Sequence, residues 1–304
     1  MTSSLLRIEP LLLPFDAALT MPGSKSHANR AIIAACLAKG TTNICNATPC
    51  DDVVLLVKNL QRMGFAVQWK DRRKGTLVIR GGIPQNKNSK TVTLFCDNAG
   101  TTLRFLTSLA CIVPGQWIIT GNARMCERPI GDLTNALKTL GAQIEDTDGC
   151  PPLHIRGRNL KGGNLTLDAS KSSQFLTSLL LIGPLLPQGL SITAQSTLAS
   201  AQYVEPTREV LADFGVSVRK QRGNFHVPHS PLRANVHYQI EGDWSAAGAF
   251  LILAELSESH IHFTNLAEDS RQADRLLPDF IAQLRSTGKR SVDCSAIPDQ
   301  VMNL

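Results

Sequence analysis

The chain has 304 residues, enough for two domains, and its 43% hydrophobic and 18% charged residues exclude a disordered chain. The 22 glycines and 16 prolines are ordinary, which excludes a collagen-like or linker-dominated chain. A net charge of +6 suits anionic ligands, and 5% aromatic residues supply few stacking platforms for single-stranded nucleic acid. The eight cysteines contain no C-x-x-C pair and read as thiols of a reducing cytosol. Glu9, Pro10 and Pro14 interrupt the apolar N-terminus, so it does not read as a signal peptide. The most apolar run, Phe175 to Leu186, is too short and too broken to span a bilayer. These features predict a cytoplasmic protein with neither membrane nor nucleic acid as partner.

Along the chain, one pattern recurs. A small-residue turn, Gly23-Ser24-Lys25-Ser26, opens an apolar helix through Ala31–Leu37. A one-sided helix follows, with Val53, Val57, Leu60 and Gly64 on one face and Lys58, Gln61 and Arg62 off it. The same two landmarks return at Asn98-Ala99-Gly100-Thr101 and Gly141, then at Lys171-Ser172-Ser173-Gln174 and Gly215. They return once more at Asp243-Trp244-Ser245-Ala246 and Gly288. The glycines are 77, 74 and 73 residues apart, and each is placed as a left-handed helix C-cap. The helices opened by the turns are apolar most of the way round, which predicts burial on nearly all sides. Short β segments at Trp117–Thr120, Leu190–Thr193 and His260–Phe263 fill the gaps. The spacing predicts an α/β fold of repeated units, three of them over about residues 21–240 and a fourth over about 241–290.

Each turn precedes a buried helix, whose first N–H groups and partial positive charge favour an anion. Cations gather at the same places: Lys25, Arg30, Arg104 and Arg128. The bland alternatives are a solvated amine for Lys25, a salt bridge for Arg30, an internal ion pair for Arg104 and simple N-capping for Ser172 and Ser173. No nucleotide P-loop, dinucleotide fingerprint or nucleophile elbow occurs. His260 and His262 alternate along a strand and read as ordinary surface.

Met21-Pro22-Gly23-Ser24-Lys25-Ser26-His27-Ala28-Asn29-Arg30 resembles the opening signature of the EPSP synthase (3-phosphoshikimate 1-carboxyvinyltransferase) family. Asp97 to Arg104, Glu127-Arg128-Pro129-Ile130, Ser172 to Leu176, Ser200 to Tyr203 and Ile297-Pro298-Asp299 are similar to its later motifs, in the same order. A nucleotide-sugar enolpyruvyl transferase of the same fold would read differently at Ser24-Lys25-Ser26.

The resemblance implies the enolpyruvyl transferase fold, an inside-out α/β architecture of repeated βαβαββ units in two lobes. Residues 21–240 would form the first lobe, and 1–20 with 241–304 part of the second. It implies transfer of the enolpyruvyl group of phosphoenolpyruvate to the 5-hydroxyl of shikimate 3-phosphate by a monomer, with no metal or organic cofactor. Lys25, Ser26, Arg30, Ser172, Ser173, Gln174, Ser200 and Asp299 would hold shikimate 3-phosphate. Lys25, Gly100, Arg128 and Gln174 would border phosphoenolpyruvate, and Tyr203 would flank the shikimate ring. Asp299 and Lys25 are the catalytic candidates. Gly100 leaves room beside the phosphoenolpyruvate position, so a complete enzyme of this sequence is expected to be inhibited by glyphosate. The chain ends five residues after Asp299, before the family's remaining phosphoenolpyruvate-clamping residues, so the expectation is a shortened chain whose turnover alone is in question.

Overall fold

The computed structural model describes residues 14–85, 90–168, 170, 172–195, 201–287, 293–297 and 300. Strand β1 (Asp16–Leu19) leads into helix α1 (Lys25–Leu37), followed by β2 (Gly40–Cys45), α2 (Asp51–Arg62) and the hairpin of β3 (Ala66–Asp71) and β4 (Thr76–Gly81). The next unit is β5 (Thr91–Phe95), α3 (Gly100–Ile112), β6 (Gly115–Thr120), the short α4 (Ala123–Cys126), α5 (Gly131–Thr139), β7 (Gln143–Thr147) and β8 (Cys150–Gly157). The third is β9 (Gly163–Leu167), α6 (Ser173–Ile182), β10 (Leu190–Ala194), α7 (Glu205–Asp213), β11 (Arg219–Gln221) and β12 (Asn224–Val227). Strand β13 (His237–Gln239), α8 (Trp244–Leu256), β14 (His260–Phe263) and α9 (Leu277–Thr287) complete the series.

The second and third units each form a four-stranded sheet of one topology, β5-β6-β8-β7 and β9-β10-β12-β11. In each, the first strand runs parallel to the second, which pairs antiparallel with the fourth. The first sheet, β13-β2-β4-β3, keeps this order but takes its leading strand from beyond the third unit. His237 pairs with Asn43 there, while β1, the strand before α1, runs parallel to β14 with Asp16 opposite His260. The strands that lead α1 and α8 are thus exchanged between two sheets. The strand-helix crossovers repeat, but their closure is not local.

Helices α1, α3 and α6 pack on one another at the centre, with sheets outside. In α3 every residue except Thr101 is buried, and in α6 every residue except Gln174. In α1 burial is complete from Ala28 to Leu37. A helix apolar on all sides is stable only when enclosed in this way. Between α3 and α6, the Ser108 hydroxyl donates to Ser178 Oγ at 2.9 Å, so these two buried hydroxyls are paired. Helix α8 departs from the expectation drawn from its sequence. It is the most apolar of the four, yet only Ala247 and Gly248 are fully buried, and Leu256 is 80% exposed. Among the described residues it has no partner equivalent to those that enclose α1, α3 and α6.

The predicted glycine caps are present three times with one hydrogen-bond pattern. After α2, Gly64 N–H donates to Gln61 O at 3.0 Å and Phe65 N–H to Leu60 O at 3.0 Å. After α5, Gly141 and Ala142 bond Lys138 O and Leu137 O, and after α7, Gly215 and Val216 bond Ala212 O and Leu211 O. The glycines have φ of 94°, 94° and 86°, where a side chain is strained. Gly288 lies outside the described residues.

A second close approach also repeats. A Cβ on Gly81 would meet Ala38 O and Ala35 O, and a Cβ on Gly157 would meet Val113 O and Ala110 O. In the third unit the small residue moves to the helix side, where a Cβ on Gly183 would lie 3.0 Å from Val227 Cβ. Each of these three units therefore has one glycine where the last strand presses on the end of its central helix. Gly157→Ala is expected to lower stability by about 1–3 kcal/mol through overpacking against backbone. The shift of the urea midpoint measures it, with Gly131→Ala, whose Cβ would come no closer than 3.4 Å to any neighbour, as the comparison.

Candidate active site

The residues that escape burial in the central helices lie at the helix starts: Lys25, Ser26 and His27 in α1, Thr101 in α3 and Gln174 in α6. All five line one cleft of about 640 Å³, together with Arg30, Ser172, Ser173 and Tyr203. Asp243, Ser245 and Ala246 at the start of α8 close its far side. The first turn of a helix carries unpaired N–H groups and the positive end of the helix dipole. Here the helices are desolvated along their length and meet solvent at that end, so their side of the cleft is electropositive, while Asp243 and Asp274 line the other side.

Arg30 is 4% exposed and aimed from α1 toward the cleft. Its Nε donates to Thr207 Oγ1 at 2.9 Å, Nη1 to Ser26 O at 2.7 Å and Nη2 to Tyr203 O at 2.9 Å. No carboxylate among the described residues lies in ion-pair range, so the salt-bridge reading of Arg30 does not hold. Burial pushes its pKa down to about 10, and it remains a cation at neutral pH. Lys25 is about half exposed, with Nζ 3.7 Å from Asp52 Oδ1, a separation that leaves the ammonium available. Ser172 Oγ accepts from Gln174 N–H at 3.2 Å, so the N-cap reading of Ser172 holds alongside its place in the cleft.

Gly100, next to Thr101 in the chain, and Arg128 are not among the residues that line the cleft. A Cβ on Gly100 would lie 2.6 Å from Arg104 Nη1 and 2.8 Å from Arg128 Nη1, so both guanidinium groups converge there. Arg104 is buried, lies 5.5 Å over the ring of Phe175 and donates from Nη1 to Gly100 O at 3.0 Å. Its Nε is enclosed without a partner. Burial, and then the charge of Arg128, push its pKa down to about 10. The internal ion pair that sequence allows for Arg104 is absent among the described residues. Two close cations at a helix start are unfavourable alone and favourable around an anion. Ser200 and Asp299 lie outside the described residues.

Residues that sequence reasoning did not single out hold the cleft together. Asp243 Oδ1 accepts from Ser245 N–H and Ala246 N–H at 2.9 and 3.2 Å, and Oδ2 accepts from Lys25 N–H at 3.3 Å. One carboxylate thus caps α8 and reaches the first residue of α1. The two chain crossings run antiparallel beside it, with Ser24 N–H on Glu241 O and Asp243 N–H on Pro22 O, both at 2.9 Å. Asp243 stood in the fourth small-residue turn, a signal that could have marked it. His27 lies within the opening signature but has no role assigned there. Its Nε2 is 2.8 Å from Tyr238 Oη, whose hydroxyl donates to Asp213 Oδ2 at 2.9 Å. Burial, and then the charge of Arg30, push the His27 pKa down to about 4.

Among the described residues no three His, Cys, Asp or Glu side chains are placed to hold a metal ion, and the eight cysteines are free thiols. No described helix is long and apolar enough to cross a membrane.

Comparison with known proteins places these features in one family. The model of EPSP synthase (3-phosphoshikimate 1-carboxyvinyltransferase) matches residues 13–292. The chain is 38% identical over 275 residues to the 3-phosphoshikimate 1-carboxyvinyltransferase of Aliivibrio salmonicida, covering 88% of this chain and 64% of that one. It is 36% identical over 264 residues to the protein of that name from Psychromonas ingrahamii, covering 85% and 62%. The chain therefore spans a little under two thirds of the length of these relatives. Among solved structures, EPSP synthase from Acinetobacter baumannii matches with a TM-score of 0.71 at 26% identity, over 83% of this chain and 56% of that one.

The depressed pKa of His27 sets a pH dependence. The unfolded chain takes up the proton near pH 6.5, and the fold resists it down to about 4. The stabilisation is complete above 6.5 and is lost as pH falls toward 4. Urea unfolding at pH 7 and pH 4.5 is expected to show about 1–3 kcal/mol more loss in the parent chain than in His27→Leu.

Proposed function

The chain belongs to the EPSP synthase family, and we propose that its cleft binds shikimate 3-phosphate and, beside it, phosphoenolpyruvate, for transfer of the enolpyruvyl group to the 5-hydroxyl. The observation that carries this reading is the cleft itself. Three buried helices open into it at their first turns, with Lys25, Arg30, Ser26, Ser172, Ser173 and Gln174 around one space. Both substrates are polyanions, and a site for them must present cations and N–H groups before any bond changes.

In this reading Lys25, Ser26, Arg30, Ser172, Ser173, Gln174 and Ser200 hold shikimate 3-phosphate, with Tyr203 along the ring. Lys25, Gly100, Arg128 and Gln174 border phosphoenolpyruvate. The reaction is an addition and an elimination. The methylene carbon of phosphoenolpyruvate gains a proton, and the 5-hydroxyl oxygen bonds to the neighbouring carbon while its proton passes to Asp299. The tetrahedral adduct then expels phosphate, and loss of a methyl proton restores the double bond. Lys25 and Arg128 stabilise the phosphate charge as it leaves. Residues 21–240 act as the first lobe, and residues 1–20 with 241–304 as part of the second. The protein works as a cytoplasmic monomer.

A second reading is that this chain binds shikimate 3-phosphate without turnover. It is favoured by the incomplete enclosure of α8 and by the cations, of which Arg30 and Lys25 line the cleft and Arg128 does not. Phosphate release from the purified chain with both substrates separates the two readings. Release that needs both substrates and is abolished in Asp299→Ala supports transfer, while calorimetric heat with shikimate 3-phosphate and no release supports binding alone. If turnover is found, Arg128→Ala is expected to lower kcat/KM for phosphoenolpyruvate by roughly 10²–10³-fold, and glyphosate is expected to compete with phosphoenolpyruvate. Undiminished turnover in millimolar glyphosate would count against the space assigned beside Gly100.

A further inference from the structure

His27 lies on the cleft wall one turn before Arg30, and neither the reaction nor the anion contacts use it. Its protonation state can be deduced from the hydrogen bonds around it. Asp213 Oδ2 is a carboxylate oxygen and only accepts, so the Tyr238 hydroxyl proton points to it. Tyr238 Oη therefore accepts from His27, and the ring carries its proton on Nε2. In the neutral ring, which burial and the charge of Arg30 favour, Nδ1 is left with a lone pair. It has no hydrogen-bond partner among the described residues, and it is not among the polar atoms sealed from solvent. The side of the ring open to solvent is the cleft.

We propose that His27 is a specificity-determining residue of this cleft, whose Nδ1 accepts a hydrogen bond from a ring hydroxyl of the shikimate-type ligand. The proposal rests on the reading of the cleft as the shikimate 3-phosphate site. Lys25 and Arg30 on the cleft wall only donate and suit the phosphate and carboxylate of that ligand, whereas a hydroxyl proton needs an acceptor, and His27 Nδ1 is an uncharged acceptor on the same helix. A carboxylate in this position would repel the anionic ligand, and a neutral imidazole does not. Burial and the adjacent Arg30 keep the ring neutral at physiological pH, and the start of α1 adds to this because a helix N-terminus disfavours a cation. Tyr238 and Asp213 act as positioning residues, because they fix which nitrogen faces the ligand.

Titration calorimetry of the full chain with shikimate 3-phosphate and with its 4-deoxy and 5-deoxy analogues tests this. The parent chain is expected to bind one deoxy analogue roughly 3–10-fold more weakly than shikimate 3-phosphate. His27→Leu is expected to lose that discrimination. His27→Asn, whose Oδ1 can occupy the place of Nδ1, is expected to regain most of it. Should His27→Leu fail to fold by circular dichroism, His27→Gln decides, because its amide reaches toward Tyr238 and leaves the Nδ1 position empty. Discrimination as strong in His27→Leu or His27→Gln as in the parent chain overturns the role of His27 while leaving the cleft assignment intact. Absence of any heat with shikimate 3-phosphate in the parent chain overturns both.

Discussion

Desolvation of three helices along all but their first turns is the constraint on which the rest of the molecule depends. Beyond their first turns, helices α1, α3 and α6 are buried on all sides, packed on one another with the sheets outside. The arrangement leaves one end of each helix open. At that end the backbone has N–H groups without intrahelical partners, and the low dielectric behind them strengthens their pull on an anion. The fold thus makes an electropositive opening before any charged side chain is added, and Lys25, Arg30 and Arg128 reinforce it.

The charges at this opening are organised by what they lack. Arg30 is held by a hydroxyl and two carbonyl oxygens, and Arg104 by a carbonyl and an aromatic face. Neither is neutralised by a carboxylate among the described residues. Hydrogen bonds to neutral acceptors fix a guanidinium in place without cancelling its charge, which an ion pair would do. His27 obeys the same logic in reverse, since a neutral ring beside Arg30 adds an acceptor without adding a charge.

Exchange of β1 and β13 ties this opening to the start of α8. The strand leading α1 belongs to the sheet of β14, and the strand leading α8 belongs to the sheet of β2. The two crossings lie side by side, and Asp243 caps α8 while accepting from Lys25 N–H. Any shift of α8 relative to α1 is therefore felt at the residue that the proposed reaction places against both substrates.

The repeat, the helices and the sites of their glycine caps are legible from the order of residues alone. Each is a local matter: Gly64, Gly141 and Gly215 are needed because the residue after the helix takes a left-handed backbone, whatever surrounds it. The small-residue turns were legible for the same reason, and with them Lys25, Arg30, Ser172, Ser173 and Gln174. Tertiary structure alone decided that β13 replaces β1 in the first sheet, because strand pairing joins residues about 194 apart, as in His237 and Asn43. It also decided that Arg128 converges with Arg104 on Gly100, that Arg104 has no ion pair among the described residues, and that burial and Arg30 hold the His27 pKa low. Those properties depend on burial and on partners supplied by Thr207, Phe175, Tyr238 and Asp213, which no spacing along the chain reveals.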